Sequence, residues 1–127
     1  MNLNCFFCNL DQSRILDSNE HCFMIRDDFP VSPGHALVIP KRHVGSFFEL
    51  NPKEQQALLA LLDSAKRSLD AECQPDAYNM GLNDGPAAGQ SIPHVHFHLI
   101  PRYAGDCDDP RGGVRWIVPG KARYWAD

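Results

Sequence analysis

The chain has 127 residues, of which 43% are hydrophobic and 22% charged. This suits one folded domain spanning residues 1–127 and excludes a disordered, collagenous or fibrous chain. Twelve Lys and Arg against sixteen Asp and Glu leave a formal charge of -4, which argues against a nucleic-acid or membrane-surface binder while allowing a local patch for a small phosphate.

The longest apolar windows, at residues 35–40 and 57–62, fall short of the roughly 20 residues a membrane helix needs. Met1-Asn2-Leu3-Asn4-Cys5 has no basic region followed by a long apolar stretch, so no secretory signal is expected. Five cysteines in no regular framework suit a reducing compartment, and a cytoplasmic location is the expectation.

In chain order, 14–17 and 22–26 read as a strand hairpin across Ser18-Asn19-Glu20, and 35–39 reads as a third strand after Pro30-Val31-Ser32-Pro33-Gly34. Asn51-Pro52-Lys53-Glu54 carries a cap, a proline for the first turn and a glutamate that reaches back. Ala57, Leu58, Leu61, Leu62, Ala65 and Leu69 follow at helical spacing, which predicts a helix over about 52–73, closed by Pro75. Residues 77–82 read as a strand, 83–90 as a Gly-rich loop, and 93–100 as the last strand. The expected fold is α+β, with a twisted, mostly antiparallel sheet of about five strands. Residues 107–127 read as a tail of little regular structure, with 115–118 as an extended candidate.

His94-Val95-His96-Phe97-His98-Leu99-Ile100 carries the chemistry. On a strand, alternate side chains share a face, so the three imidazoles face a polar pocket while Val95, Phe97 and Leu99 face the core. Such a row suits a metal site, or metal-free phosphoryl chemistry in which one imidazole attacks phosphorus and another donates to phosphate oxygens. Gly89-Gln90-Ser91 directly upstream favours the second, because its backbone N–H groups, the Gln90 amide and the Ser91 hydroxyl suit phosphate oxygens.

This pattern resembles the signature of the histidine triad (HIT) superfamily of nucleotidyl hydrolases and transferases. Pro33-Gly34-His35, Ile39-Pro40-Lys41-Arg42-His43, Asn83-Asp84-Gly85, Ala88-Gly89-Gln90-Ser91 and Pro101-Arg102-Tyr103-Ala104-Gly105-Asp106 extend the resemblance over residues 5–106. It implies an antiparallel sheet with one long and one shorter helix, and a homodimer whose sheets join. It also implies His96 as the nucleophile toward an α-phosphorus, His98 on the phosphate oxygens and leaving side, and His94 and His35 as orienting residues. Asn83, Gly89, Gln90 and Ser91 would bind phosphate, Asp27 the ribose hydroxyls, and Leu37, with Phe6, Phe7 and Ile25, the purine.

Cys5-Phe6-Phe7-Cys8 is half of a zinc motif by spacing, with a redox pair as the alternative. The resemblance implies a structural zinc on Cys5, Cys8, His43 and His94, with no catalytic metal. The tail is similar to that of bacterial HIT hydrolases near the fragile-histidine-triad branch, which implies dinucleoside polyphosphate cleavage and suggests Arg102, Arg111 and Arg115 as phosphate partners. The CxxC is closer to a branch that cleaves P–N bonds. Alternatives are therefore a purine nucleoside phosphoramidase, a nucleotide-binding regulatory protein with little turnover, and a metallohydrolase with its ion on His96 and His98.

Overall fold

Asn51 closes a reciprocal capping box with Glu54, each side chain accepting from the other's backbone N–H, and the helix they start runs unbroken over Pro52–Cys73 (α1). Gln74 ends it in a left-handed conformation. Glu54 is buried and also receives two hydrogen bonds from the Arg42 guanidinium, which holds its carboxyl below the usual range. The cap thus ties α1 to the segment that carries His43.

The computed structural model describes residues 2–126. Five strands, β1 (Asp17–Ser18), β2 (Cys22–Arg26), β3 (Ala36–Pro40), β4 (Ala77–Gly81) and β5 (Phe97–Arg102), form one antiparallel sheet in the order β1-β2-β3-β5-β4. β2 and β3 are buried on both faces, and their alternation sorts two cores. Cys22, Met24, Ala36 and Val38 pack with Val95, Leu99 and the α1 residues Leu58, Leu61, Ala65 and Leu69. Phe23, Ile25, Leu37 and Ile39 pack on the other face with Cys5 and Phe7. Ala57 and Leu62 are partly buried beside the first core.

Three expectations are corrected. Gln12–Arg14 is a 3-10 turn, held by Asp11 accepting from Ser13 N–H, so the first strand shrinks to two residues. Residues 93–96 are not paired into the sheet, since β3 meets β5 only at Ala36–Leu99, Leu37–His98 and Val38–Phe97; Val95 N–H instead donates to the Val44 carbonyl. In the tail, residues 115–117 are not extended: Gly113–Ile117 is a 3-10 helix, followed by the short helix α2 (Pro119–Ala122), and of the expected segment Val118 alone has an extended backbone. No helix among the described residues is long and apolar enough to cross a membrane.

Candidate active site

Although only His98 of the row lies in β5, the alternation holds. Val95 and Leu99 are in the α1-side core, whereas the His94 and His96 rings stand 5.8 and 5.1 Å from Phe7 on the opposite face. His94 is fully buried, His96 is 7% exposed, and His98 borders a cavity of about 750 Å3. The three rings therefore occupy different environments.

Hydrogen bonding fixes their tautomers. His96 Nδ1 lies 2.8 Å from the His94 carbonyl oxygen; a carbonyl only accepts, so Nδ1 carries a proton, and in the neutral ring the lone pair is on Nε2. His35 Nδ1 accepts from Val31 N–H at 3.0 Å. Neutral His35 is thus protonated on Nε2, which donates to His98 Nδ1 at 2.9 Å, leaving the His98 proton on Nε2. Burial, with His35 and His96 adjacent, pushes His98 down to about 4, and burial also lowers His35. At neutral pH the pair is uncharged, and His98 offers an N–H donor.

Asp27 is turned toward this pair, with Oδ2 3.5 Å from His35 Nε2 and 3.9 Å from His98 Nδ1, while Oδ1 accepts from Phe29 N–H. A carboxylate has about four acceptor positions, so it retains capacity for a hydroxyl. Leu37, directly opposite His98 in the sheet, is buried in the apolar layer with Phe7 and Ile25, while Phe6 is exposed.

The loop 83–91 differs from expectation. Gln90 Oε1 accepts from Gly85 N–H, and its amide Nε2 donates to the Gly45 and Ile92 carbonyls. The backbone N–H groups of Gly89 and Gln90 are used inside the turn, on Pro86 and Gly85. Gly85 and Gly89 both have positive φ, at 94° and 98°, a conformation glycine adopts without a Cβ penalty. Gln90 and Gly89 therefore brace the loop, while Asn83 lines the cavity and Ser91 is exposed. Asp84 pins the loop's start by accepting from Ser46 Oγ and Phe47 N–H.

A second cluster lies behind the row. Cys5 and Cys8 Sγ are 3.4 and 3.6 Å from His94 Nδ1, Cys8 Sγ is 3.4 Å from His43 Nδ1, and the two Nδ1 atoms are 3.2 Å apart. A tetrahedron with the usual zinc bond lengths has edges of about 3.5 Å for S···N and about 3.3 Å for N···N, so the donor set fits zinc. His94 Nε2 donates to the Pro40 carbonyl at 2.7 Å, which directs the Nδ1 lone pair into the cluster. Asp27, His35 and His98 form another group of potential ligands, but its His35–His98 contact is a hydrogen bond. Neither group includes His96, so neither supports an ion held jointly by His96 and His98.

Sequence reasoning missed the rest of the cavity lining. Asn79, Gly81 and Ile100 line it together with Gly113, Val114, Ile117 and Val118 from the tail. Strand register could have found the first three, because Gly81 pairs with His98 and Asn79 with Ile100. The tail arginines are engaged elsewhere: Arg111 binds Asp109 and lies over Trp125, and Arg115 donates to the Lys121 and Ala122 carbonyls. Arg102, by contrast, lines the cavity, its guanidinium held by both oxygens of Asp106 and by the Asn79 side-chain oxygen.

Residues 10–105 match the HIT domain family, and the chain belongs to it. A HIT-like protein of Mycoplasma genitalium is 38% identical over 104 residues, covering 79% of this chain and 74% of that protein. The adenylylsulfatase HINT3 of Arabidopsis thaliana is 33% identical, covering 82% and 55% respectively. An asymmetrical bis(5'-nucleosyl)-tetraphosphatase of Schizosaccharomyces pombe is 40% identical, covering 61% and 42%. The crystal structure of a Bacillus anthracis HIT family protein superposes with a TM-score of 0.71 at 36% identity, covering 81% of this chain and 76% of that one.

Proposed function

We propose that this HIT protein hydrolyses dinucleoside polyphosphates at the α-phosphorus through a covalent nucleotidyl-His96 intermediate. The observation that carries the reading is the hydrogen bond from His96 Nδ1 to the His94 carbonyl, which in the neutral ring makes Nε2 the nitrogen that bears the attacking lone pair. As the Nε2–P bond forms, the bond from that phosphorus to the bridging oxygen breaks and a nucleoside polyphosphate leaves. Water then attacks the same phosphorus, the P–N bond breaks, and a nucleoside monophosphate departs while the water's proton passes to solvent.

His98 donates its Nε2 hydrogen to the phosphate oxygens and the leaving side, where charge develops. Asp27 and His35 orient that ring, and Asp27 has acceptor capacity for a ribose hydroxyl. Asn83 and Ser91 bind phosphate, Gln90 and Gly89 hold their loop in shape, and Leu37 belongs to the apolar layer beside the base. A neutral His98 suits a polyphosphate leaving group, which is stable as an anion, better than an amine that needs a full proton. Purine phosphoramidate hydrolysis is the second reading, favoured by the Cys5–Cys8 cluster; relatedness to an adenylylsulfatase supports adenylate chemistry in general.

Cys5, Cys8, His43 and His94 are proposed to hold a structural zinc, which fastens the N-terminal segment to the base of the histidine row. The exposed edge strand β4 suits the sheet-to-sheet homodimer implied by the resemblance.

Parallel specificity constants for diadenosine polyphosphates, adenosine phosphoramidate and adenylyl sulfate test the reading. It requires the polyphosphates to lead. Phosphoramidate in first place supports the second reading, and nucleotide binding without turnover supports a regulatory role.

A further inference from the structure

Resting on the proposed reaction, we infer that the C-terminal tail forms the wall of a leaving-half compartment, with Val114 and Ile117 as specificity-determining residues for the second nucleoside. In an in-line displacement the leaving group departs opposite the attacking atom. The cavity is lined by His98, the proposed leaving-side donor, by Asn83, a proposed phosphate ligand, and by Arg102. A cavity that shares the leaving-side donor and the phosphate ligand is where the departing half of the substrate would sit. Its volume of about 750 Å3 is within the roughly 300–1,000 Å3 of small-molecule pockets.

Two features give the compartment its shape. Gly81 pairs with His98, and a Cβ built on Gly81 meets nothing within 4 Å, so a side chain there would project into open space beside the imidazole. Val114 and Ile117 line the same cavity although they are 64% and 83% exposed. Apolar groups left hydrated at a cavity wall gain by covering an apolar face, and a nucleoside offers one.

The tail's placement is built in. Gly113 has a φ of 44°, and its Cβ would come within 3.1 Å of Asn79 Nδ2, so glycine permits the close approach to β4. Asn79 in turn accepts from Arg102. Trp116 Nε1 donates to the Arg111 carbonyl, and the Arg115 guanidinium bonds two carbonyls of the following turn. Val114 and Ile117 lie beyond the matched family domain, which ends at residue 105.

The test compares kcat/KM for diadenosine triphosphate with that for adenosine phosphoramidate, whose leaving group is compact, in wild type, Val114→Ser/Ile117→Ser and Gly81→Val. Removing apolar contact from one half of a substrate is expected to lower the ratio by about tenfold in the double variant, with Gly81→Val moving it the same way by obstruction. An unchanged ratio in both variants overturns the inference, as does loss of dimer mass in the double variant without a change in ratio, which assigns Val114 and Ile117 to an interface. A wild type that cleaves neither substrate defeats the proposed reaction itself. A wild type active on both, with variants that keep its preference, defeats only the tail assignment.

Discussion

The His96 imidazole donates from Nδ1 to the backbone carbonyl of His94, two residues earlier, at 2.8 Å. The same His94 sends its own Nδ1 toward Cys5, Cys8 and His43. One residue thus faces a ligand cluster with its ring and orients the proposed nucleophile with its backbone.

His98→Gln removes the ring that His35 orients. Its activity is expected to fall by about 10²–10³ in kcat, the usual loss for one donor at developing charge, with a smaller change in KM. Rapid-quench kinetics should show slowed adduct formation. A KM effect alone would assign His98 to ground-state binding.

The His98 ring falls from the ordinary 6.5 to about 4 in the fold. Above pH 6.5 it is neutral folded and unfolded, and its full contribution to stability is present. Between about 6.5 and 4 the unfolded chain takes up a proton that the folded chain refuses, so stability declines as pH falls. Denaturant midpoints across this window should drop less steeply in His98→Gln than in wild type. Parallel curves would contradict the placement of this buried neutral ring.

Purified chain is expected to contain one zinc per protomer by elemental analysis. Cys8→Ala should lose the metal and lower the thermal midpoint by about 5–10 °C, equivalent to a few kcal/mol for a chain of this size. Full zinc occupancy in that variant would remove Cys8 from the ligand set.

Gln90→Ala breaks three hydrogen bonds that brace the loop. It should cost about 1–3 kcal/mol in a urea titration, and hydrogen exchange should rise at Gly85, whose N–H loses its acceptor. Weakened nucleotide binding with no loss of stability and unchanged Gly85 exchange would restore Gln90 to direct phosphate contact.

The helix Pro52–Cys73 and the strand Cys22–Arg26 were legible in the sequence because capping chemistry and β-propensity agree with tertiary packing there. The histidine alternation was legible by face but not by hydrogen bonding, since residues 93–96 find partners outside the sheet, as Val95 does at Val44. The bracing role of Gln90 was not legible because a side-chain amide suits both phosphate and backbone carbonyls, and only the fold puts Gly45 within its reach. The tail was hidden for a different reason. Its order comes from arginines on carbonyls and aromatic rings, as at Arg115 and Tyr124, and such contacts leave no periodicity.

A denaturing quench at alkaline pH, where a histidine P–N bond survives, during turnover of diadenosine triphosphate, followed by mass spectrometry of the peptide containing the histidine row, tests the central claim most directly. The account predicts one adenylate on His96, and no adduct or turnover in a His96→Ala variant that still binds adenosine monophosphate. An adduct on another residue, or full turnover by His96→Ala, would contradict it.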